Sequence, residues 1–283
     1  MNDGKGVCME SLKLFVSEHK LFRKQLIELA RADIVKTYRG ASLGWIWALI
    51  KPSITIFVYF FAFSVGIRAS KPVTNAEGVT YEFFLWLIGG IIPWFYITEM
   101  LTQGTGCIKK YSYLVTKMRF PVSTIPTFVS ISKMLVNMCL SAVVIIIYCV
   151  YRHWPSVYYL QLIYYMLCQF LLFTPLTLFN ATLSILSQDF GNLVKSITTA
   201  VFWLSGIMYD ASKVHNVWLR RILKVNPVTY ICSGYRDCYI YHEWFWSPSR
   251  YKSTLAFLCI TLLVWCASLH IYQKTRKDLP DVL

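Results

Sequence analysis

The chain has 283 residues, of which 56 % are hydrophobic, 17 % aromatic and 15 % charged, and 28 basic against 14 acidic side chains give a net charge of +14. A soluble domain of this size carries about 25 % charged residues, and six long apolar stretches leave little room for a soluble catalytic domain. In such a chain the basic excess reads as topology and contact with anionic lipid rather than nucleic-acid binding.

Residues 1–44 are polar and amphipathic. No cleavable signal peptide is expected, because the first apolar stretch is too long for a signal core. From Ser11 to Ile34, Leu14, Phe15, Leu21, Phe22, Leu26 and Leu29 recur at helical spacing, with Lys13, Lys20, Lys24 and Arg31 mostly off that stripe. The pattern predicts a helix lying in the membrane interface, either a plain anchor or a surface for a partner.

A helix needs about 20 mostly apolar residues to cross the bilayer. The stretches 45–67, 83–101, 125–150, 158–186, 193–208 and 254–271 therefore predict six transmembrane helices in a membrane domain over 45–272, followed by a tail over 273–283. The fifth and sixth lie near the lower limit. With both termini cytoplasmic, sixteen basic residues fall on the inner side and ten on the outer, as the positive-inside rule favours.

The inner stretch Gly104 to Pro121 mixes Lys109, Lys110, Lys117 and Arg119 with Tyr111, Tyr113 and Phe120. A topology loop needs only the charges, so the apolar residues point to something docking there. The outer loop from Asp210 to Lys252 holds seven basic residues. In it Trp218, Leu219, Ile222 and Leu223 predict one face of a short amphipathic helix ended by Asn226-Pro227. Val228 to Tyr241 is apolar enough to re-enter the bilayer, which requires packing against protein or a wet cavity.

No phosphate-binding G-x-x-x-x-G-K-[ST] loop, H-E-x-x-H or G-x-S-x-G is present, so no catalytic residue is assigned and the chain is not expected to hydrolyse ATP itself. The nine cysteines match no metal pattern, and no metal site is assigned; a Cys232–Cys238 disulfide is left open. Charged residues within spans are functional candidates. Lys51 can snorkel, whereas Lys133, with Asn137 one turn on, is a candidate for a substrate path. Trp45, Trp94, Trp154, Trp244 and Trp246 fall at predicted span ends, as in interfacial belts. Aromatic faces also pack on sugars, which makes Trp94 a path candidate.

Four segments in order carry a family resemblance. Ala32-Asp33-Ile34-Val35-Lys36-Thr37-Tyr38-Arg39-Gly40 precedes Leu43-Gly44-Trp45-Ile46-Trp47-Ala48 and Lys51-Pro52. Ile92-Pro93-Trp94 is followed by Gly104 and the run through Lys117, Phe120 and Pro121. Gln188-Asp189-Phe190-Gly191-Asn192 comes third, with Gln where Arg is common. Asn226-Pro227-Val228-Thr229-Tyr230 with Tyr235-Arg236 comes fourth. Together they resemble the ABC-2 type permeases that export lipid-linked polysaccharides, over about Leu21 to Ile271. Gly234-Tyr235-Arg236-Asp237 and Ile240 to Trp246 look most like teichoic acid permeases; O-antigen and capsule exporters share most other markers. A drug or small-lipid exporter and a membrane-embedded transferase are the remaining alternatives.

The resemblance implies an all-α integral membrane protein of the bacterial plasma (inner) membrane with re-entrant outer helices before the last span. It implies a pair of these chains bound to two separate ABC ATPase subunits. ATP and Mg would belong to those subunits, with no cofactor on this chain. The substrate would be a polyprenyl-diphosphate-linked polymer; membrane lipids are the other partners, and no nucleic acid is expected. Lys109, Lys110, Tyr113, Lys117, Arg119 and Phe120 would dock the ATPase. Lys133, Asn137, Trp94, Arg220, Arg221, Lys224 and Arg236 are path candidates. Tyr38, Arg39, Asp189, Asn226 and Pro227 would shape inner turns or the fold.

Overall fold

The computed structural model describes residues 3–63, 72–118, 120–276 and 279. Arg68, Lys71, Arg119 and Lys277 lie outside the described residues, as does the predicted end of the first span beyond residue 63.

The chain is an all-α membrane protein. Two helices, α1 (Asp3–Leu21) and α2 (Arg23–Thr37), replace the single interface helix predicted. The axis breaks at Phe22, whose backbone sits at φ −99°, ψ 17°. The break lets Leu26 and Ala30 pack on the helix Thr124–Val150 (α7) while the Phe22 ring meets Phe120 edge-on at 5.0 Å. Leu21, predicted on the apolar stripe, is left 74 % exposed as a result.

Among the described residues five helical segments are long and apolar enough to cross a bilayer: Gly44–Phe61, Phe83–Gly104, Thr124–Val150, Val157–Leu186 and Tyr251–Thr275. They contain α3 (Trp47–Phe61), α4 (Phe83–Glu99), α7 (Thr124–Val150), α8 (Gln161–Leu186) and α12 (Tyr251–Thr275). Helix α4 is central, with nearly every side chain from Leu85 to Ile97 buried. It ends in a wide π turn, Met100–Gly104. Two short helices follow, α5 (Cys107–Lys110) and α6 (Ser112–Met118).

The predicted fifth span, 193–208, falls in helix α9 (Gln188–Leu204), which starts and ends earlier than expected and is not among these five; its 17 residues, about 25 Å at 1.5 Å per residue, stand at the lower limit for crossing the bilayer. The apolar run continues to Met208, but the helix stops because Gly206 takes φ +62°. The carbonyls of Gly206 and Ile207 then turn onto Arg236 instead of extending the helix. At its other end, extended Ser187 separates α9 from α8.

The segment after α9 folds inward. Helix α10 (Val217–Val225) is capped by Asn216, whose side chain accepts from the Trp218 and Leu219 amides at 2.9 and 3.2 Å. Helix α11 (Pro227–Arg236) has Asn226 as its cap and proline at its first position, where no amide is needed. With the π turn Asp237–Tyr241 it is almost wholly buried against α4, α8 and α12. Val228 to Tyr241, expected from its sequence to re-enter the bilayer, lies within this buried helix and turn. Cys232 and Cys238 within it are both buried free thiols. Between α3 and α4, strands β1 (Val73–Thr74) and β2 (Thr80–Tyr81) make a small antiparallel hairpin. Asn75 in its turn donates to the Ile240 carbonyl at 3.1 Å.

Two apolar cores result. The larger joins α4, α7, α8, α11 and α12. The smaller, at one end of the bundle, gathers Leu26, Ile108, Tyr111, Leu114, Phe120, Phe128 and Tyr272. The two ends are called here the α2 end and the α11 end.

Candidate docking and transport sites

At the α2 end a buried carboxylate holds three elements together. Asp33 on α2 is 1 % exposed. Its Oδ1 accepts from Lys110 Nζ at 2.9 Å and from the Tyr111 hydroxyl, and its Oδ2 from Ser132 Oγ at 2.7 Å. Burial pushes this carboxyl up, but the three hydrogen bonds and the nearby ammonium outweigh it and hold the group below its ordinary value. Asp33 therefore stays ionised and ties α2 to α5 and α7. Lys36 adds its ammonium above the Tyr111 and Tyr113 rings, 5.1 and 5.3 Å from their centroids.

Helix α1 is held on the same surface by His19. Nδ1 lies 2.7 Å from the Phe15 carbonyl and Nε2 2.7 Å from Thr127 Oγ1. A neutral ring that donates from Nδ1 and accepts at Nε2 satisfies both. Burial lowers the His19 pKa, against a smaller rise from the Phe15 carbonyl. A lowered histidine favours the folded state above the unfolded value of 6.5, and that stability is lost as pH falls below it. The protection of α1 amides, measured relative to their intrinsic exchange rate at each pH, is therefore expected to fall from pH 7.5 to 5.5, and His19→Gln is expected to reduce that fall. Equal protection at both values in the parent would refute this.

These contacts divide the predicted docking residues. Lys110 is committed to Asp33, and Phe120 is buried against Phe22. Lys109, Tyr113 and Lys117 are exposed on α5 and α6. The result is a short basic surface on a rigid support.

Above this end, between α3, α4 and α7, lies a cavity of about 130 Å³ lined by Tyr38, Trp47, Lys51, Glu99, Lys133 and Asn137, among others. Lys133 is 8 % exposed and pairs with Glu99 at 3.0 Å, also donating to Gln103 Oε1 at 3.1 Å. Asn137 Nδ2 donates to the Tyr235 hydroxyl at 3.0 Å and to Gln169 Oε1 at 3.3 Å. Tyr235 donates to Gln169 Oε1 at 3.1 Å. The cavity wall is thus hydrogen-bonded to α11.

Arg236 lies in that helix, 3 % exposed. Its guanidinium donates to the carbonyls of Trp86 at 3.2 Å, Gly206 at 3.0 Å and Ile207. It also stacks 3.5 Å from the Trp86 ring centroid. Gly90 makes room for it: a Cβ there would sit 2.2 Å from Nη2. Arg236 therefore joins α4, the turn after α9, and α11. One residue on, Asp237 accepts from Arg250 at 2.6 Å, which ties α11 to the start of α12.

A family model described as ABC-2 type transporter matches residues 24–240. The chain belongs to the ABC-2 type transporter family. Its members are the transmembrane components of ABC transporters, so membership implies a partner ABC ATPase. The chain is 26 % identical over 268 residues to the O-antigen export system permease protein RfbA of Myxococcus xanthus, covering 94 % of this chain and 98 % of that protein. Two proteins of the same name from Klebsiella pneumoniae are each 22 % identical, over 259 and 216 residues. The first match covers 91 % of this chain and 94 % of that relative, the second 76 % and 80 %.

The remaining predicted residues of this ABC-2 permease are dispersed. Lys133 and Asn137 share the cavity with Tyr38. Trp94 is buried, 5.3 Å from the Phe202 ring. Arg220, Arg221 and Lys224 lie on α10 at the α11 end, apart from the cavity; the Arg221 guanidinium is 5.3 Å from the Trp218 ring centroid. On α10 Leu223 is buried while Trp218 and Ile222 are exposed, so only part of its predicted apolar face packs. Asp189 stands in the first turn of α9, where a carboxylate complements the helix dipole. Arg39 is exposed beside α2. Asn226 caps α11 and donates to Ser205 Oγ at 3.0 Å, and Pro227 starts that helix. The residues not singled out as sites from sequence are Asp33, Tyr111, Ser132, His19 and Tyr235. Asp33 had two signals: it is an acid on a helix face otherwise used for packing, and it stands in the first segment of the family resemblance.

Proposed function

We propose that this chain is the permease of an ABC exporter that carries a lipid-linked O-antigen polysaccharide from the inner to the outer face of the plasma membrane. The observation that carries the reading is the match, over nearly the whole of both chains, to permeases named for O-antigen export. O-antigen is favoured over teichoic acid because the likeness to teichoic acid permeases rested on residues 234–246 alone.

In this reading the α2 end faces the cytoplasm. Two permease chains bind two ATPases, which hold ATP and Mg. The exposed Lys109, Tyr113 and Lys117 face the ATPase, and Asp33 transmits its movement because it joins α5 to α2 and α7. The lipid diphosphate enters at this end, and the α10–α11 unit forms the exit.

The test is depletion of the permease followed by extraction of lipid-linked polymer from the cells. A stranded diphosphate-linked polysaccharide with O-antigen sugars is expected. A stranded polyol-phosphate polymer would restore the teichoic acid reading, and normal surface polymer with none stranded would defeat the exporter reading.

A further inference from the structure

Helix α4 reaches α5 through the π turn Met100–Gly104, followed by Thr105 and Gly106. In a π turn each amide bonds five residues back instead of four, so the turn carries one residue more than an α turn. Passing that residue along the chain restores α geometry and moves what lies beyond it by about 1.5 Å and about 100° relative to α4. The helix is weakened at this point by its own hydroxyls: Thr102 Oγ1 donates to the Thr98 carbonyl at 2.7 Å and Thr105 Oγ1 to the Leu101 carbonyl at 2.6 Å. The turn is gripped from two sides instead. From α8, Thr177 donates to the Met100 carbonyl at 3.3 Å and Ser184 to the Thr105 carbonyl at 2.8 Å. Gly104 lets α8 come this close, since a Cβ there would lie 2.9 Å from Thr177 Cγ2. From α7, the buried Lys133 ammonium holds Glu99, just before the turn, and Gln103, inside it.

We infer that the π turn Met100–Gly104 is a register hinge between α4 and α5, and that Lys133, Thr177 and Ser184 are the residues that position it. Glu99 belongs to α4 and keeps Lys133 in either register, whereas Gln103 and the Met100 and Thr105 carbonyls change place when the turn slips. The three donors therefore favour the register seen here and release it when α5 is pulled. The inference rests on α5 and α6 facing the ATPase, and it adds the element through which their movement reaches the central helix. It also gives the ammonium of Lys133 a use other than contact with substrate.

The test uses the complex of permease and partner ATPase. Hydrogen exchange is followed in residues 98–106 in lipid nanodiscs, with and without a non-hydrolysable ATP analogue, and polymer exported per ATP hydrolysed is measured in proteoliposomes. The analogue is expected to change exchange at 98–106 by about fivefold or more, with 86–96 unchanged. A Thr177→Val, Ser184→Ala double variant removes two donors that do not line the cavity. It is expected to hydrolyse ATP at the parent's rate and to export several-fold less polymer per ATP. Lys133→Met should lower that ratio as well, and Lys133→Arg, which keeps the charge and can serve both acceptors, should restore it. Exchange at 98–106 that ignores the analogue while the ATPase is bound would overturn the hinge. So would normal export per ATP in the double variant, and if Lys133→Met alone lost export, Lys133 would return to the substrate path. A parent complex that exports nothing would defeat the exporter reading, and the response of 98–106 to the analogue would still decide the hinge.

Discussion

Replacing Arg236 with methionine is expected to cost about 3–5 kcal/mol, chiefly because buried carbonyls that it serves lose their donor. Three carbonyls, those of Trp86, Gly206 and Ile207, lose their donor at once. Each orphaned buried acceptor costs about 1–3 kcal/mol, and the stacking on Trp86 adds about 1 kcal/mol. Relief of the buried charge offsets part of this, which keeps the net below the sum. The melting midpoint of the detergent-solubilised protein should fall by roughly 10 °C, at about 2–4 °C per kcal/mol for a chain of this size. Gly90→Ala offers an independent check because it leaves the arginine in place. Its Cβ would lie 2.2–2.4 Å from three guanidinium atoms, and the three hydrogen bonds leave that group no room to step aside. Gly90→Ala should therefore destabilise in the same direction. An unchanged midpoint in Arg236→Met would show that the turn after α9 is held by something else.

Asp33→Ala should release α2 from the bundle. The substitution leaves the Tyr111 and Ser132 hydroxyls without their acceptor and the Lys110 ammonium without its partner. Lys110 is 39 % exposed and can recover water, so its share is small. The two hydroxyls and the cavity left by the carboxylate bring the expected cost to about 2–4 kcal/mol. The effect should be local, since Asp33 belongs to the smaller core. Limited proteolysis between α2 and α3 should become several-fold faster, while the α11 end keeps its protection. Asp33→Asn keeps the shape and one acceptor, and should fall between the parent and Asp33→Ala. If Asp33→Ala is cleaved no faster than the parent, the latch is not what holds α2.

The sequence showed what depends on local pattern. Four long apolar runs became α4, α7, α8 and α12 within a few residues of their expected ends. Asn226-Pro227 marked the start of α11 because cap and proline act through the neighbouring backbone. What escaped depends on residues far apart in the chain. Asp33 meets Lys110 across 77 positions, and His19 meets Thr127 across 108. No periodicity encodes such a pairing. The end of the fifth stretch was placed too far along the chain for the same reason. Its apolar run reaches Met208, but Arg236, some 30 residues on, draws the Gly206 and Ile207 carbonyls out of the helix. The docking stretch was proposed from its mixture of bases and aromatics. Which of its residues face outward became clear only once Phe120 was seen against Phe22 and Lys110 against Asp33.

The most direct measurement of the account is co-purification of the partner ATPase with the parent permease and with a Lys109→Asp, Lys117→Asp double variant, in mild detergent from native membranes. Both lysines are exposed and neither takes part in the Asp33 network, so the fold should be unaffected, as an unchanged melting midpoint would confirm. The ATPase is expected in stoichiometric amount with the parent and reduced at least tenfold with the variant. An ATPase that is absent from the parent, or that remains in full with the variant, would contradict the assignment of α5 and α6 as the surface through which this permease is driven.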